Sequence, residues 1–170
     1  AVFMGLLLGG LFAAMVYRTF FSPNTAFANE EAFVYVPTGA TYEDLKPQLA
    51  PLLKDLDAFE SVARRKRYLS NIRPGKFPIR KGMSNNEIVN SLRSRNTPVR
   101  ISFNNQETPA LLAGRIASQI EADSLELLSS FMDADFLREQ GWSADQALLP
   151  YIPNSYEVYW NTSAEQFRDR

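Results

Sequence analysis

The first part of the chain is apolar without interruption. Val2 to Tyr17 reads VFMGLLLGGLFAAMVY, with no charge and no polar face, and Phe20 and Phe21 extend the run past Arg18. A helix of about 20 apolar residues spans the hydrocarbon core of a bilayer. Residues 1–22 are therefore expected to form a transmembrane anchor, with Arg18 snorkelling to the interface and Tyr17, Phe20 and Phe21 near that level. A buried core helix would normally keep a polar face. A cleaved signal peptide is the stronger rival, because Ala26-Phe27-Ala28 resembles a small-residue cleavage site. The run is longer than the usual signal-peptide core of about 7 to 15 residues, which favours an uncut anchor. Anchor and leader alike would place the remaining residues on the extracytoplasmic side, and the uncut anchor would make this a single-pass protein of the bacterial inner membrane with the bilayer as a partner.

After a linker over residues 23–31 the pattern shortens and begins to alternate. Phe33 to Val36 is rich in strand formers and ends in the turn Pro37-Thr38-Gly39. Thr41 is a candidate cap for a helix with Glu43 and Asp44 in its first turn and Leu45, Leu49, Leu52 and Leu53 on its apolar face. Pro47 and Pro51 weaken that helix. Asp57 is a candidate cap for a second helix. Pro74-Gly75 then turns the chain into a strand over 76–79, and Ser84 with Glu87 three residues on is a capping-box signature ahead of Ile88, Val89 and Leu92. Val99, Ile101 and Phe103 alternate as a further strand. Thr108, Ser124, Asp133 and Ser163 mark later helix starts. Strands and helices in this order predict a small α+β unit rather than a doubly wound sheet.

Composition narrows the chemistry. The 170-residue chain has no cysteine and no histidine, which removes disulfides, thiolate and histidine metal sites, and Ser-His or Cys-His nucleophile systems. Carboxylates, hydroxyls, lysine and arginine remain, so an enzyme here is expected to be a carboxylate enzyme. The net charge of −1 conceals a strong asymmetry. Arg64 to Arg100 holds eleven basic residues against Glu87 alone, while the remainder carries seven basic and eighteen acidic ones. The expected export argues against nucleic acid. A basic face could instead meet anionic lipid or an anionic wall polymer, or be a solvated face with no dedicated partner.

The last segment, YIPNSYEVYWNTSAEQFRDR, gathers Tyr151, Tyr156, Tyr159 and Trp160 around Glu157. Aromatic faces stack on pyranose rings, and hydroxyl and amide groups orient them; such clusters also serve simply as core. If the segment from Tyr156 is extended, Glu157 points away from Tyr156 and Val158, which leaves an exposed strand position open as well.

Taken together, the apolar leader, VPTGATYEDLKPQL, IRPGKFPIRKGMSNNEIVNSLRS, VRISF, RIASQI and YIPNSYEVYW resemble, in order and spacing, the YceG-like (MltG) family of endolytic murein transglycosylases. The resemblance implies a transmembrane anchor, a LysM-like α+β subdomain over 32–103, and over 104–170 the N-terminal part of a mixed α/β catalytic domain. It implies non-hydrolytic cleavage of the β-1,4 bond between N-acetylmuramic acid and N-acetylglucosamine in nascent glycan strands, leaving a 1,6-anhydro end, with peptidoglycan synthases as further partners. One protonated carboxyl group suffices: it protonates the leaving oxygen, then helps deprotonate the C6 hydroxyl that closes on the anomeric carbon.

The family's Leu-Glu-Gly motif puts its acid five residues before the proline matching Pro153, and that slot here is Leu148, between Ala147 and Leu149. Pro153, Ser155 and Tyr156 match the Pro-x-Thr-Tyr part. Glu157, the only carboxylate inside the motif, is thus the candidate catalytic acid, and Asn154, Ser155, Tyr156, Tyr159 and Trp160 are candidate substrate-binding residues. The alternative function is a membrane-tethered peptidoglycan-binding or scaffold protein without chemistry of its own.

Overall fold

The structure, a computed structural model, describes residues 2–170, with four β-strands and eight α-helices among them. They form two compact units, residues 2–96 and 97–170, each with its own hydrophobic core. The architecture is α+β: each unit holds one two-stranded antiparallel sheet covered by helices.

The first unit begins with helix α1 (Val2–Phe21). Among the described residues no helix is long and apolar enough to cross a membrane. This overturns the expected transmembrane anchor and the single-pass inner-membrane placement built on it; Ala1, the first residue of that segment, lies outside the described residues. The physical reason is visible at the end of α1. Its last turns belong to the folded body: the Thr19 carbonyl accepts a 2.8 Å hydrogen bond from the buried Asn85 side chain, and Phe20 packs on the core. Phe12, Val16 and Thr19 line a groove with Ser61 and Arg65 of the facing helix. Those turns, with Arg18, are therefore not available as an apolar stretch.

The expected linker is also built into this unit. Residues 23–26 thread between two loops through backbone bonds from Asn24 to the Met83 carbonyl, from Ala26 to that of Leu52, and from Lys54 to that of Asn24. Asn24 is the polar hub. Its Nδ2 donates to the Asp55 carbonyl (2.7 Å) and to Asn85 Oδ1 (2.6 Å), and its Oδ1 accepts from the Asp55 amide (2.9 Å).

The body runs β1 (Glu31–Val36), α2 (Tyr42–Leu49), a 3-10 turn, α3 (Leu56–Arg65), β2 (Gly75–Arg80) and α4 (Asn85–Ser94). Strands β1 and β2 pair antiparallel with Val34 opposite Phe77. Alternation turns Val34 and Val36 inward onto Leu45, Phe59, Val62 and Ile88, all fully buried. The helix starts follow local chemistry. Thr41 with Asp44, and Ser84 with Glu87, form capping boxes. Helix α3 is capped by Asp55 rather than Asp57, because Asp55 is the residue still extended and able to accept from the Ala58 amide.

The second unit contains β3 (Pro98–Phe103), α5 (Pro109–Ala117), α6 (Ser124–Phe131), α7 (Ala134–Gln140), β4 (Asn154–Tyr159) and α8 (Ala164–Arg168). Strand β3, expected as the last element of the first subdomain, pairs with β4 and so lies in this unit. Gly141 ends α7 in the left-handed conformation at φ 74°, which glycine adopts without a Cβ penalty. Its core gathers Ile101, Leu112, Ile116, Leu127, Phe131 and Val158.

Both sheets close an edge with a glutamine amide. Gln48 receives the Tyr35 N–H and donates to its carbonyl (2.9 and 2.6 Å), and Gln119 does the same for Ser102 (2.9 and 3.2 Å). A side-chain amide bonded to the backbone of a strand residue blunts the edge against further pairing.

Candidate functional site

The candidate residues sit on β4 and just beyond it. Strand β4 forms because Tyr156, Val158 and their partners on β3 alternate inward: Tyr156 is opposite Ile101 and Val158 opposite Val99. Val158 is buried, and the Tyr156 ring stacks on Phe103 at 5.6 Å. The Tyr156 hydroxyl donates to the Ile152 carbonyl at 2.6 Å, closing the turn through Pro153. Tyr156 is thus held on three sides, and its ring belongs mostly to the core.

The opposite face of the same ribbon is open. Glu157 is exposed there, between Ser155 and Tyr159, with Arg100 directly across from it on β3 and Ser102 across from Ser155. Tyr159 is 53% exposed. This face therefore joins one carboxylate, one guanidinium, two hydroxyl side chains and a free-standing aromatic ring on a rigid two-stranded support. Asn154 is exposed at the strand's start, where its Oδ1 accepts from the Ser155 amide at 2.8 Å. Trp160 is half-buried, and its carbonyl accepts from the Glu121 amide. Of the six candidates, Ser155, Glu157 and Tyr159 come together on the open face, while Asn154 and Tyr156 lie on the other side of the strand. An aromatic-lined cleft does not enclose Glu157.

A separate concavity of about 160 Å3 lies on the inner side of the ribbon. Phe103, Leu112 and Leu148 supply apolar walls, and Asn104, Asn105 and Gln106 a polar rim. Leu148, the residue in the slot where the resemblance implies an acid, is half-buried, lines this cavity and packs on the core. Tyr151 borders it too. Its ring lies 4.5 Å from Phe131 and stacks on Phe167, its hydroxyl is buried without a hydrogen-bond partner among the described residues, and burial pushes that hydroxyl's pKa well above the usual phenol range. Sequence reasoning did not single out the amide rim. The signal that could have found it was the run Asn104-Asn105-Gln106 directly after a strand that ends in a buried aromatic. No group of three or more carboxylates able to hold a metal occurs among the described residues.

An α+β chain with two short ribbons and a PNSYEVYW strand is thereby defined in structural terms. Comparison with known proteins then gives its family. The YceG-like family profile matches residues 34–170, and the chain belongs to that family. No curated protein matches it. Among solved structures, a yceG-like protein of Listeria monocytogenes is similar at 17% identity with a TM-score of 0.39, over 83% of this chain and 53% of the other. The chain thus spans about half the length of that relative.

Proposed function

We propose that this protein acts on peptidoglycan as an endolytic lytic transglycosylase, cleaving the β-1,4 bond between N-acetylmuramic acid and N-acetylglucosamine in glycan strands delivered by peptidoglycan synthases. Membership of the YceG-like family over residues 34–170 is the observation that carries the reading. In the proposed step Glu157 gives its proton to the glycosidic oxygen of the departing N-acetylglucosamine. The muramic C6 hydroxyl then closes on C1, its proton passes to the Glu157 carboxylate, and a 1,6-anhydro end is left without water being consumed. The open face supports this arrangement chemically. Tyr159 can stack on a sugar face, and Ser155, Ser102 and Arg100 can hydrogen-bond its oxygens. A strand lying on this face would itself withdraw Glu157 from water.

A second reading, glycan recognition without chemistry, is favoured by one specific observation: Leu148 stands where the resemblance implies the acid, and its side chain completes an apolar cavity wall. Incubating the chain with purified peptidoglycan separates the two. Anhydro-muropeptide release that disappears in Glu157→Gln supports the lyase. Polymer binding by both forms with no new anhydro ends supports recognition alone.

A further inference from the structure

Of the basic stretch from Arg64 to Arg100, only Arg100 joins the β3–β4 site, and Arg80, Lys81 and Arg95 line a concavity of their own in the first unit. Strand β2 ends at Arg80, the chain turns through Lys81 and Met83, and α4 returns past Glu87 and Asn90 to Arg95. Together these residues enclose about 390 Å3.

Three cations face one carboxylate in this cavity, and the carboxylate is committed elsewhere. Glu87 Oε2 accepts from both the Ser84 amide (2.8 Å) and the Ser84 hydroxyl (2.7 Å), which ties it to the cap of α4. Those bonds, the backbone one foremost, hold its pKa below the usual glutamate range, so it stays charged and capped. Two further acids reach the cations from outside. Glu31 meets Arg80 Nε at 3.3 Å and Glu30 meets Lys81 Nζ at 3.8 Å. Both are exposed pairs of the kind that contributes little and is readily screened, and the Arg80 contact engages Nε, leaving the terminal amino groups of its fork. A fourth cation stands beside the cavity: Lys66 Nζ is 2.5 Å from Asn90 Oδ1 and 2.6 Å from Asn86 Oδ1. The Asn90 oxygen accepts from Lys66, and its amide nitrogen remains a donor.

The lining therefore has a surplus of about two positive charges and two arginine forks, against one carboxylate tied by one oxygen to the helix cap. A carboxylate brings one charge and two oxygens, and would leave half of that unanswered. A phosphate monoester or phosphate ion carries about −1.5 to −2 at neutral pH, with at least three strong acceptor oxygens. Arginine forks suit such oxygens bidentately, and a lysine beside them acts as a point charge.

We infer that this cavity is a phosphoryl-binding site, in which Arg80 and Arg95 grip the oxygens of a phosphate group, with Lys81 and the Asn90 amide alongside. The proposal does not rest on the glycan reading of the β3–β4 site.

The test is calorimetric titration of the 170-residue chain with inorganic phosphate, glycerol phosphate and acetate at low ionic strength. Saturable phosphate binding at one site is expected, with acetate weaker by about tenfold or more and with affinity falling as salt rises. Removing charge-assisted hydrogen bonds in the double variant Arg80→Gln/Arg95→Gln should weaken phosphate by about tenfold or more. Lys81→Gln should weaken it less, and Arg138→Gln, which removes an exposed arginine of the second unit, not at all. Glycerol phosphate binding more tightly than phosphate would assign the site to an esterified group, and equal affinity to the free ion. Circular dichroism establishes that each variant is folded. Absence of saturable binding, acetate binding as tightly as phosphate, or equal losses in the double variant and in Arg138→Gln would each overturn the proposal.

Discussion

Gly75 opens β2, the strand whose far end carries Arg80, and both its backbone conformation and the Asn96 side chain beside it favour glycine. Its φ of 141° lies in a region that residues with a side chain rarely adopt. A Cβ built there would meet Asn96 Cγ and Oδ1 at 2.5 Å and Nδ2 at 2.6 Å. The same Asn96 Oδ1 accepts the Lys76 backbone N–H at 3.0 Å, at the start of the ribbon. Gly75→Ala thus costs twice over. Backbone strain contributes about 1–3 kcal/mol. Displacing Asn96 forfeits a hydrogen bond of about 1 kcal/mol. A destabilisation of about 2–4 kcal/mol is expected from the two together, read as a lower urea midpoint by circular dichroism and as faster amide exchange at the β1–β2 backbone. The side-chain part is separable. Asn96→Ala alone loses the bond to Lys76, whereas in the Gly75→Ala background it also removes the clash, so the two changes should cost less together than the sum of each alone. A urea midpoint unchanged in Gly75→Ala, or strict additivity in the double variant, would refute this reasoning.

Two further outcomes concern the polar hubs. Asn24→Ala strips partners from the Asp55 amide, the Asp55 carbonyl and the Asn85 side chain, all at a nearly buried hub, and should destabilise the chain by about 2–4 kcal/mol in urea unfolding; a loss under about 0.5 kcal/mol would show that water replaces it freely. The Glu87 carboxyl, lowered from 4.5 by its bonds to Ser84, contributes stability that is present above the unfolded value and lost as pH falls through the folded one. Ser84→Ala removes the hydroxyl bond and leaves the larger backbone one, so it should flatten the acid side of the stability curve below about pH 4.5 only in part, measured as the difference from wild type across that range.

What the sequence made legible was local. Strands β1 and β2, the Ser84 capping box and the Thr108 and Ser163 starts all depend on residues within a few positions, and period or cap chemistry reports them directly. The alternation along β4 likewise placed Glu157 opposite Tyr156 and Val158, and it is exposed where they are half-buried and buried. The misreadings were non-local. Hydropathy along Val2–Tyr17 says nothing of a helix whose end is claimed by Asn85, more than sixty residues away. Residues 23–31 have a linker's composition, yet Asn24 and Thr25 are buried because two distant loops supply their partners. Strand β3 is contiguous in sequence with the first unit, and only the pairing with β4 assigns it to the second. The cavity bordered by Leu148, Tyr151 and the Asn104–Gln106 rim has the same character: its walls come from β3, the loop beyond it, α5 and the segment before β4, and no single stretch announces it.

The claim that this chain cleaves glycan strands through Glu157 stands or falls on the products formed from purified peptidoglycan. Mass spectrometry of the released muropeptides should find 1,6-anhydro ends with the wild-type protein and none with Glu157→Gln, while both forms bind the polymer equally. Undiminished anhydro ends with Glu157→Gln would remove this residue from the chemistry, and their absence with the wild type would contradict the lytic reading itself.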